Sequence, residues 1–289
     1  MEIQEKAYAK LNLTLDVEKK RADGYHDLTM VMISLALCDD ITLTPRTDGK
    51  VNIECNRSYL PRDRRNLAVR AVDEFYARLD KSGGADMKIF KRIPVGAGMA
   101  GGSTDAAAVL RALNRAEGNP FTAEELCAIA LDIGSDVPYC VRGGTMLAKG
   151  RGEILTPLAE LPECGILVCK PAFSISTAEL FKCVDSRRQK THPDTAGMIS
   201  ALEAGQTEEV ARRMFNVFED VLPRQYSEVG EIRSALLDAG ALGAVMTGTG
   251  SAVFGLFTEE TRMKKAHDSL SARYKECYIT HAVTRLEID

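Results

Sequence analysis

Between positions 94 and 104 the chain reads Pro94, Val95, Gly96, Ala97, Gly98, Met99, Ala100, Gly101, Gly102, Ser103 and Thr104, with glycines crowded directly against an apolar helical pattern. Backbone N–H groups left free at a helix start, together with its positive dipole end, bind phosphate. Residues without a β-carbon let the chain approach the anion closely. The stretch from Gly96 to Gly101 also matches GxGxxG, the dinucleotide fingerprint. That fingerprint belongs after the first strand of a βαβ unit, with an acidic strand end about twenty residues later. Here a helix capped by Thr122 and Glu125 takes that place, which argues against a nicotinamide cofactor. A Walker A loop needs lysine before its Ser or Thr, and Gly102 precedes Ser103; protein-kinase HRD and DFG triplets are missing. A long connector whose glycines only serve turns is the alternative to phosphate binding.

Other residues could work beside this loop. Lys10 and Asn12 point the same way along an alternating strand and could line a cleft, although a lysine there is usually only solvated. In GSDVPY at 134–139, Asp136 precedes Pro138 at an expected helix start. N-capping explains it blandly; a carboxylate kept ionised by a helix dipole could instead accept a hydroxyl proton. RADGYHDL at 21–28 carries the turn signal Asp23-Gly24, then Tyr25 and His26. These are either the tip of a hairpin or a platform on which a planar ring stacks while an imidazole bonds its edge. Gly248 and Gly250, with hydroxyls at Thr247, Thr249 and Ser251, make either a tight hairpin or a second anion-contacting loop.

The elements that must hold these residues follow from periodicity. Residues 7–18 alternate strictly, predicting a half-buried strand with six apolar side chains on one face. Strands are also expected at 30–37, 40–44 and 51–55, making the first fifty-odd residues an antiparallel sheet. A helix over 66–81 should stop at Gly83-Gly84, a strand should fill 87–93, and helices should run from 104 to 115 and from Thr122 to Gly134. Beyond residue 160 the texture changes to a strand at 166–169, helices at 178–184, 208–221 and 232–239, strands at 244–246 and 252–257, a helix at 260–274 and a strand at 278–288. Strands and helices mix without regular βα alternation, so the fold class is α+β, divided into 1–160 and 161–289. The basic stretch 186–190 reads as a solvated loop.

Composition excludes other classes. In 289 residues, 37 basic against 41 acidic side chains leave a charge of −4, no global field for nucleic acid or an anionic membrane. The longest apolar run, 30–38, is interrupted by Ser34 and is about half of what a membrane span needs. The N-terminus is acidic where a signal peptide would be basic. Eight cysteines without a CxxC pair, and four scattered histidines, suggest reduced thiols and no dedicated metal cage, hence a cytoplasmic protein.

Blocks in chain order, KAYAKLNLTLDV with RADGYHDL, then PVGAGMAGGSTDAA, IGSDVPYCVRGGTMLAKGRGE and MTGTGSAVF, resemble the GHMP kinase superfamily over residues 6 to 257. The pairing of AKLN with DGYH is similar to the branch that phosphorylates a cytidyl-diphosphate-linked methylerythritol on the route to isoprenoids without mevalonate. The resemblance implies a two-lobed fold, an antiparallel-sheet N-terminal lobe and a ferredoxin-like C-terminal lobe, with ATP and Mg²⁺ as cofactors. It implies that Lys10 and Asp136 activate the acceptor hydroxyl, with Asn12 beside them. Tyr25 and His26 would hold the cytosine ring and Phe181 its other face. The loop from Pro94 to Thr104, with Gly248, would wrap the ATP phosphates, and Asn66 would lie at the adenine end. Partners would be the small-molecule substrate alone, for a monomer or homodimer that binds neither nucleic acid nor membrane. Ala100 stands where the family commonly has glycine, demanding a negative φ or some strain; Thr104, Thr247 and Thr249 stand where serine is usual. The rival reading is a GHMP kinase for a mevalonate- or homoserine-like alcohol, which would have no use for a stacking platform.

Overall fold

The computed structural model describes residues 2–186, 191–284 and 286. Two long strands, β1 (Ile3–Lys20) and β2 (His26–Arg46), form an antiparallel hairpin at the centre of the larger sheet. Around them lie β3 (Val51–Cys55), α1 (Leu67–Arg78), β4 (Gly84–Phe90), α2 (Gly101–Ala116), α3 (Ala123–Ile133), α4 (Val137–Arg142), β5 (Met146–Gly150) and β6 (Ile154–Pro157). The second half contributes β7 (Gly165–Lys170), α5 (Thr177–Ser186), α6 (Thr195–Glu203), α7 (Thr207–Arg212), β8 (Phe215–Asn216), α8 (Val217–Val221) and α9 (Glu228–Asp238). It ends with β9 (Gly243–Met246), β10 (Val253–Phe257), α10 (Glu260–Ser271), β11 (Glu276–Thr280) and β12 (Ala282–Val283).

One sheet runs β3-β4-β2-β1-β8, with β5, β6 and β12 attached through β2; the other is four-stranded in the order β11-β7-β10-β9. In the smaller sheet every pairing is antiparallel and a helix crosses between β7 and β9 and between β10 and β11, the βαββαβ pattern of a ferredoxin-like unit. The α+β class therefore holds. The larger sheet is not purely antiparallel, because β3 pairs β4 and β8 pairs β1 in parallel.

Several sequence expectations are corrected. Strand β1 is buried on both faces from Ala9 to Val17, not half-buried. Register shifts at Tyr8/Lys10 and Asn12/Thr14 swap its faces, so Ala9, Leu11 and Leu13 join one core while Ala7, Leu15 and Val17 join the other. The strands expected at 30–37 and 40–44 are one continuous β2. Helix α1 stops before the double glycine, and Gly84 instead opens β4, where a β-carbon would lie 2.1 Å from Lys50 O. Helix α2 begins three residues earlier than the pattern predicts. The expected helix at 208–221 is broken by β8, because Asn216 turns inward to cap α8 and to bond the carbonyls of Met246 and Gly248. The last strand is split into β11 and β12, and its expected end at 288 lies outside the described residues, as does the basic stretch beyond Ser186. The capping box of Thr122 and Glu125 forms as predicted.

Helix α2 is buried from Thr104 to Asn114, and its alanines at 106, 107, 108 and 112 allow the close approach of the sheet and of α1. That burial fixes where the N-terminus of α2, and the loop before it, must point.

Candidate active site

Thr104 donates its N–H to Ala100 O at 2.9 Å, the first bond of the α2 ladder, so the N–H groups of Gly101, Gly102 and Ser103 precede it and are free of helical partners. Ala100 adopts φ 58 and ψ 27, the left-handed region, so this residue accepts strain rather than a negative φ. The turn between β9 and β10 packs directly on this loop. A β-carbon on Gly98 would sit 2.1 Å from Thr247 O, and one on Gly248 would sit 2.8 Å from Gly98 O. Only glycine permits two backbones to touch there. Two further bonds brace the contact, Ala252 N–H to Ala97 O at 3.2 Å and Lys10 N–H to Met99 O at 3.3 Å.

A cavity of about 800 Å³ opens on one side of the loop, walled by Gly96, Gly98, Ala100, Ser103 and the turn at Gly248. Both Lys10 and Asp136 face it. Burial pushes the Lys10 ammonium below its ordinary pKa, and the neighbouring Asp136 carboxylate pulls it back upward. Lys10 Nζ donates to Asn12 Oδ1 at 2.6 Å. Asp136 stands at the N-cap position of α4, yet its side chain makes no capping bond. The bland capping explanation fails, and the carboxylate is left facing the cavity.

The same cavity is also lined by Tyr25, His26 and Phe181. Asp23 Oδ1 accepts the Tyr25 N–H at 3.1 Å and closes the hairpin turn, leaving the Tyr25 ring 50% exposed. His26 is buried; its ring stacks on Phe181 with centroids 4.7 Å apart, and Nε2 lies 2.7 Å from Asp185 Oδ1. Lys20 Nζ bonds the same carboxylate at 2.5 Å, and these two contacts hold Asp185 below the usual carboxylate range. Asp185 and Arg151, which lies over Tyr25, were not singled out from the sequence. Arg151 belongs to the KGRGE string already noted, a cation in a short turn, whereas Asp185 carries no local signal at all.

A second cavity, about 330 Å³, also borders the loop and is lined by Pro94, Val95 and the run from Gly96 to Ser103, together with Leu60, Asn66 and Leu67. The Asn66 side chain is engaged there as the N-cap of α1, accepting from Ala68 N–H at 3.0 Å and donating to Pro61 O at 3.0 Å. Beneath the loop, Lys91 Nζ bonds Gly101 O at 3.0 Å and pairs with Asp39 at 2.5 Å and Asp105 at 2.7 Å. Burial pushes the Asp105 carboxyl up to about 8, against the pull of Lys91. Asn12 and Thr104 stand on neither cavity wall. Asn12 is wholly buried, its Oδ1 also accepting from Gly248 N–H at 3.0 Å, and the Thr104 hydroxyl turns back to Gly101 O at 3.1 Å. The loop thus forms a common wall of both cavities through Gly96, Gly98, Ala100 and Ser103, the smaller reaching Asn66 and the larger Lys10 and Asp136.

This is the architecture of a phosphotransferase for small alcohols, and the chain belongs to the GHMP kinases: the family's N-terminal domain matches residues 66–144 and its C-terminal domain residues 198–276. It is an ATP-dependent small-molecule kinase. Among its relatives, the 4-diphosphocytidyl-2-C-methyl-D-erythritol kinase of Clostridium botulinum (strain Kyoto / Type A2) is 42% identical over 96% of this chain and 99% of its own length. The protein of that name from Clostridium kluyveri is 41% identical over the same shares. A crystal structure of 4-(cytidine 5'-diphospho)-2C-methyl-D-erythritol kinase superposes with a TM-score of 0.82 at 31% identity, covering 97% of this chain and 99% of that one. The fold extends to a homoserine kinase from Cytophaga hutchinsonii, with a TM-score of 0.74 at 18% identity over 98% and 95% of the two chains.

Proposed function

We propose that this kinase transfers the γ-phosphoryl group of ATP to the 2-hydroxyl of 4-diphosphocytidyl-2-C-methyl-D-erythritol, a step toward isoprenoid precursors that does not pass through mevalonate. The observation that carries this reading is the continuity of the larger cavity from Tyr25 and His26 to Lys10 and Asp136 beside the glycine loop. An aromatic and imidazole platform suits cytosine, and a carboxylate and ammonium suit a reacting hydroxyl.

The free N–H groups of Gly101, Gly102 and Ser103 hold the phosphates. Lys10 balances charge on the transferring group, and Asp136 takes the hydroxyl proton as the new P–O bond forms and the bond to ADP breaks. Phosphoryl transfer asks little covalent work of the protein, so alignment dominates. An oxygen donor suited to Mg²⁺ stands at this wall: the Ser103 side chain faces both the larger cavity and the smaller recess, to which we assign the nucleotide. When bound, the cation would supply neutralisation of phosphate charge. We assign ATP binding to a unit of residues 1–160 and a second, C-terminal kinase unit to 161–289, with the acceptor held by Tyr25, His26 and Asp136 of the first and Phe181 of the second. We place the reaction in the cytoplasm, which keeps eight thiols reduced.

Incubation with Mg-ATP and the cytidyl acceptor, beside mevalonate and homoserine, tests the proposal by product mass. A phosphorylated cytidyl product supports it. Phosphorylation of mevalonate or homoserine in preference contradicts it.

A further inference from the structure

Arg151 stands on the short turn between β5 and β6, on the wall of the larger cavity. Its guanidinium carbon lies over the Tyr25 ring, 3.8 Å from its centre. Nη2 reaches Ser135 Oγ only at 3.5 Å, and Ser135 is the neighbour of Asp136. Nε is buried and, among the described residues, has no hydrogen-bond partner. Glu153 Oε2 accepts the Arg151 backbone N–H at 2.6 Å, which fixes the turn without satisfying the side chain. Of the other cations lining this cavity, Lys20 is paired with Asp185 and Lys10 with Asn12, while Lys182 stands next to Phe181 on α5.

The Asp23 carboxylate lies near enough to feel the Arg151 charge. A half-buried guanidinium with donors left over can still take a further anion, because donors withdrawn from water are costly until they are paired. Its planar fork matches phosphate oxygens two at a time. In the acceptor of the proposed reaction, the diphosphate is the covalent link between the cytidine and the polyol that is phosphorylated. Arg151 likewise touches both Tyr25, assigned to the base, and Ser135, the neighbour of Asp136, assigned to the hydroxyl.

The geometry points to Arg151 as the residue that binds the acceptor's diphosphate and so restricts the enzyme to nucleoside-diphosphate-linked alcohols. This rests on the reading that the acceptor carries a cytidyl diphosphate. Packing on Tyr25 pre-organises the fork, so that little side-chain freedom is lost when the anion arrives.

The test compares cytidine with cytidine 5'-diphosphate by calorimetry, with a non-hydrolysable ATP analogue saturating the nucleotide recess, for the intact enzyme and for Arg151→Met and Arg151→Lys. Charged hydrogen bonds of this kind correspond to roughly 10- to 100-fold in affinity. The intact enzyme is expected to prefer the diphosphate by about that factor. Arg151→Met should lose the preference while cytidine binding stays within about twofold, and Arg151→Lys should recover part of it. Steady-state kinetics should show a raised KM for the acceptor with the KM for ATP unchanged. A preference that survives in Arg151→Met, or an equal loss for both ligands, would overturn the assignment, the second outcome making Arg151 only a brace for Tyr25. If neither ligand bound the intact enzyme, the cytidyl reading itself would fall, and the assignment with it.

Discussion

Lys10 Nζ donates to Asn12 Oδ1 at 2.6 Å, and that same oxygen accepts the Gly248 N–H at 3.0 Å. One buried amide therefore ties the reactive cation to the turn that braces the phosphate loop. The Asn12 N–H completes the tie by donating to Thr247 Oγ1 at 3.2 Å. Asn12→Ala leaves the Gly248 N–H buried without a partner, a loss of about 1–3 kcal/mol in stability. It also frees Lys10, so turnover should fall further than the loss of folded protein explains. Urea unfolding beside kcat on the folded fraction checks this. Full activity with unaltered stability would show that the tie is ornamental.

Tyr25 is half exposed at a hairpin tip, with Arg151 over its ring, so its replacement should act on binding rather than on folding. Stacking of a base on an aromatic side chain is worth about 1–3 kcal/mol in proteins that bind single strands. Tyr25→Ala is expected to raise the acceptor KM correspondingly, roughly 5- to 150-fold, and to leave the KM for ATP alone. Equal losses for both substrates would refute a role confined to the base.

Ala100 pays for its left-handed backbone with a β-carbon that glycine would not carry. Strain at such a position is of order 1–3 kcal/mol, offset in part by the greater chain freedom that glycine loses on folding, about 0.5–1 kcal/mol. Ala100→Gly should raise stability by about 1 kcal/mol, read as a higher denaturation midpoint, with ATP affinity equal or improved. A lower midpoint would contradict the assigned strain.

Asp105 gives the fold a pH signature. The carboxyl is held up to about 8 by burial, against the attraction of Lys91 and with Asp39 opposing its ionisation. Unfolded, it titrates near 4. Between those values the folded state binds the extra proton, so the group's contribution to stability is full below about pH 4 and is lost as pH rises through about 8. Asp105→Asn cannot titrate. Its Tm should fall less than that of the intact enzyme between about pH 6 and about pH 9, and parallel curves would reject the shift.

The parts legible in the sequence were those set by local chemistry. The capping box at Thr122, the glycine run and the Asp23-Gly24 turn each announce themselves within a few residues, and the structure builds each of them. What was not legible depended on partners far along the chain. The bulges of β1 swap its faces to suit two cores, and no alternation pattern records them. Asn216 breaks an apparently continuous helix because it is needed at Met246 and Gly248. Asp185 matters only because the fold brings it to His26, and Arg151 only because it lands on Tyr25. Helix periodicity likewise placed α2 but not its start, since glycines at 101 and 102 carry no apolar stripe.

Everything turns on whether the uncapped carboxylate of Asp136, facing the cavity beside Lys10, accepts the proton of the attacking hydroxyl. Asp136→Asn keeps the shape and removes the base. General-base assistance is worth about 10²–10⁴ in rate, so single-turnover phosphoryl transfer from ATP should slow by about that factor. Acceptor and ATP affinities, and the unfolding midpoint, should stay close to those of the intact enzyme. Transfer at an unchanged rate in a folded, substrate-saturated Asp136→Asn enzyme would contradict the account.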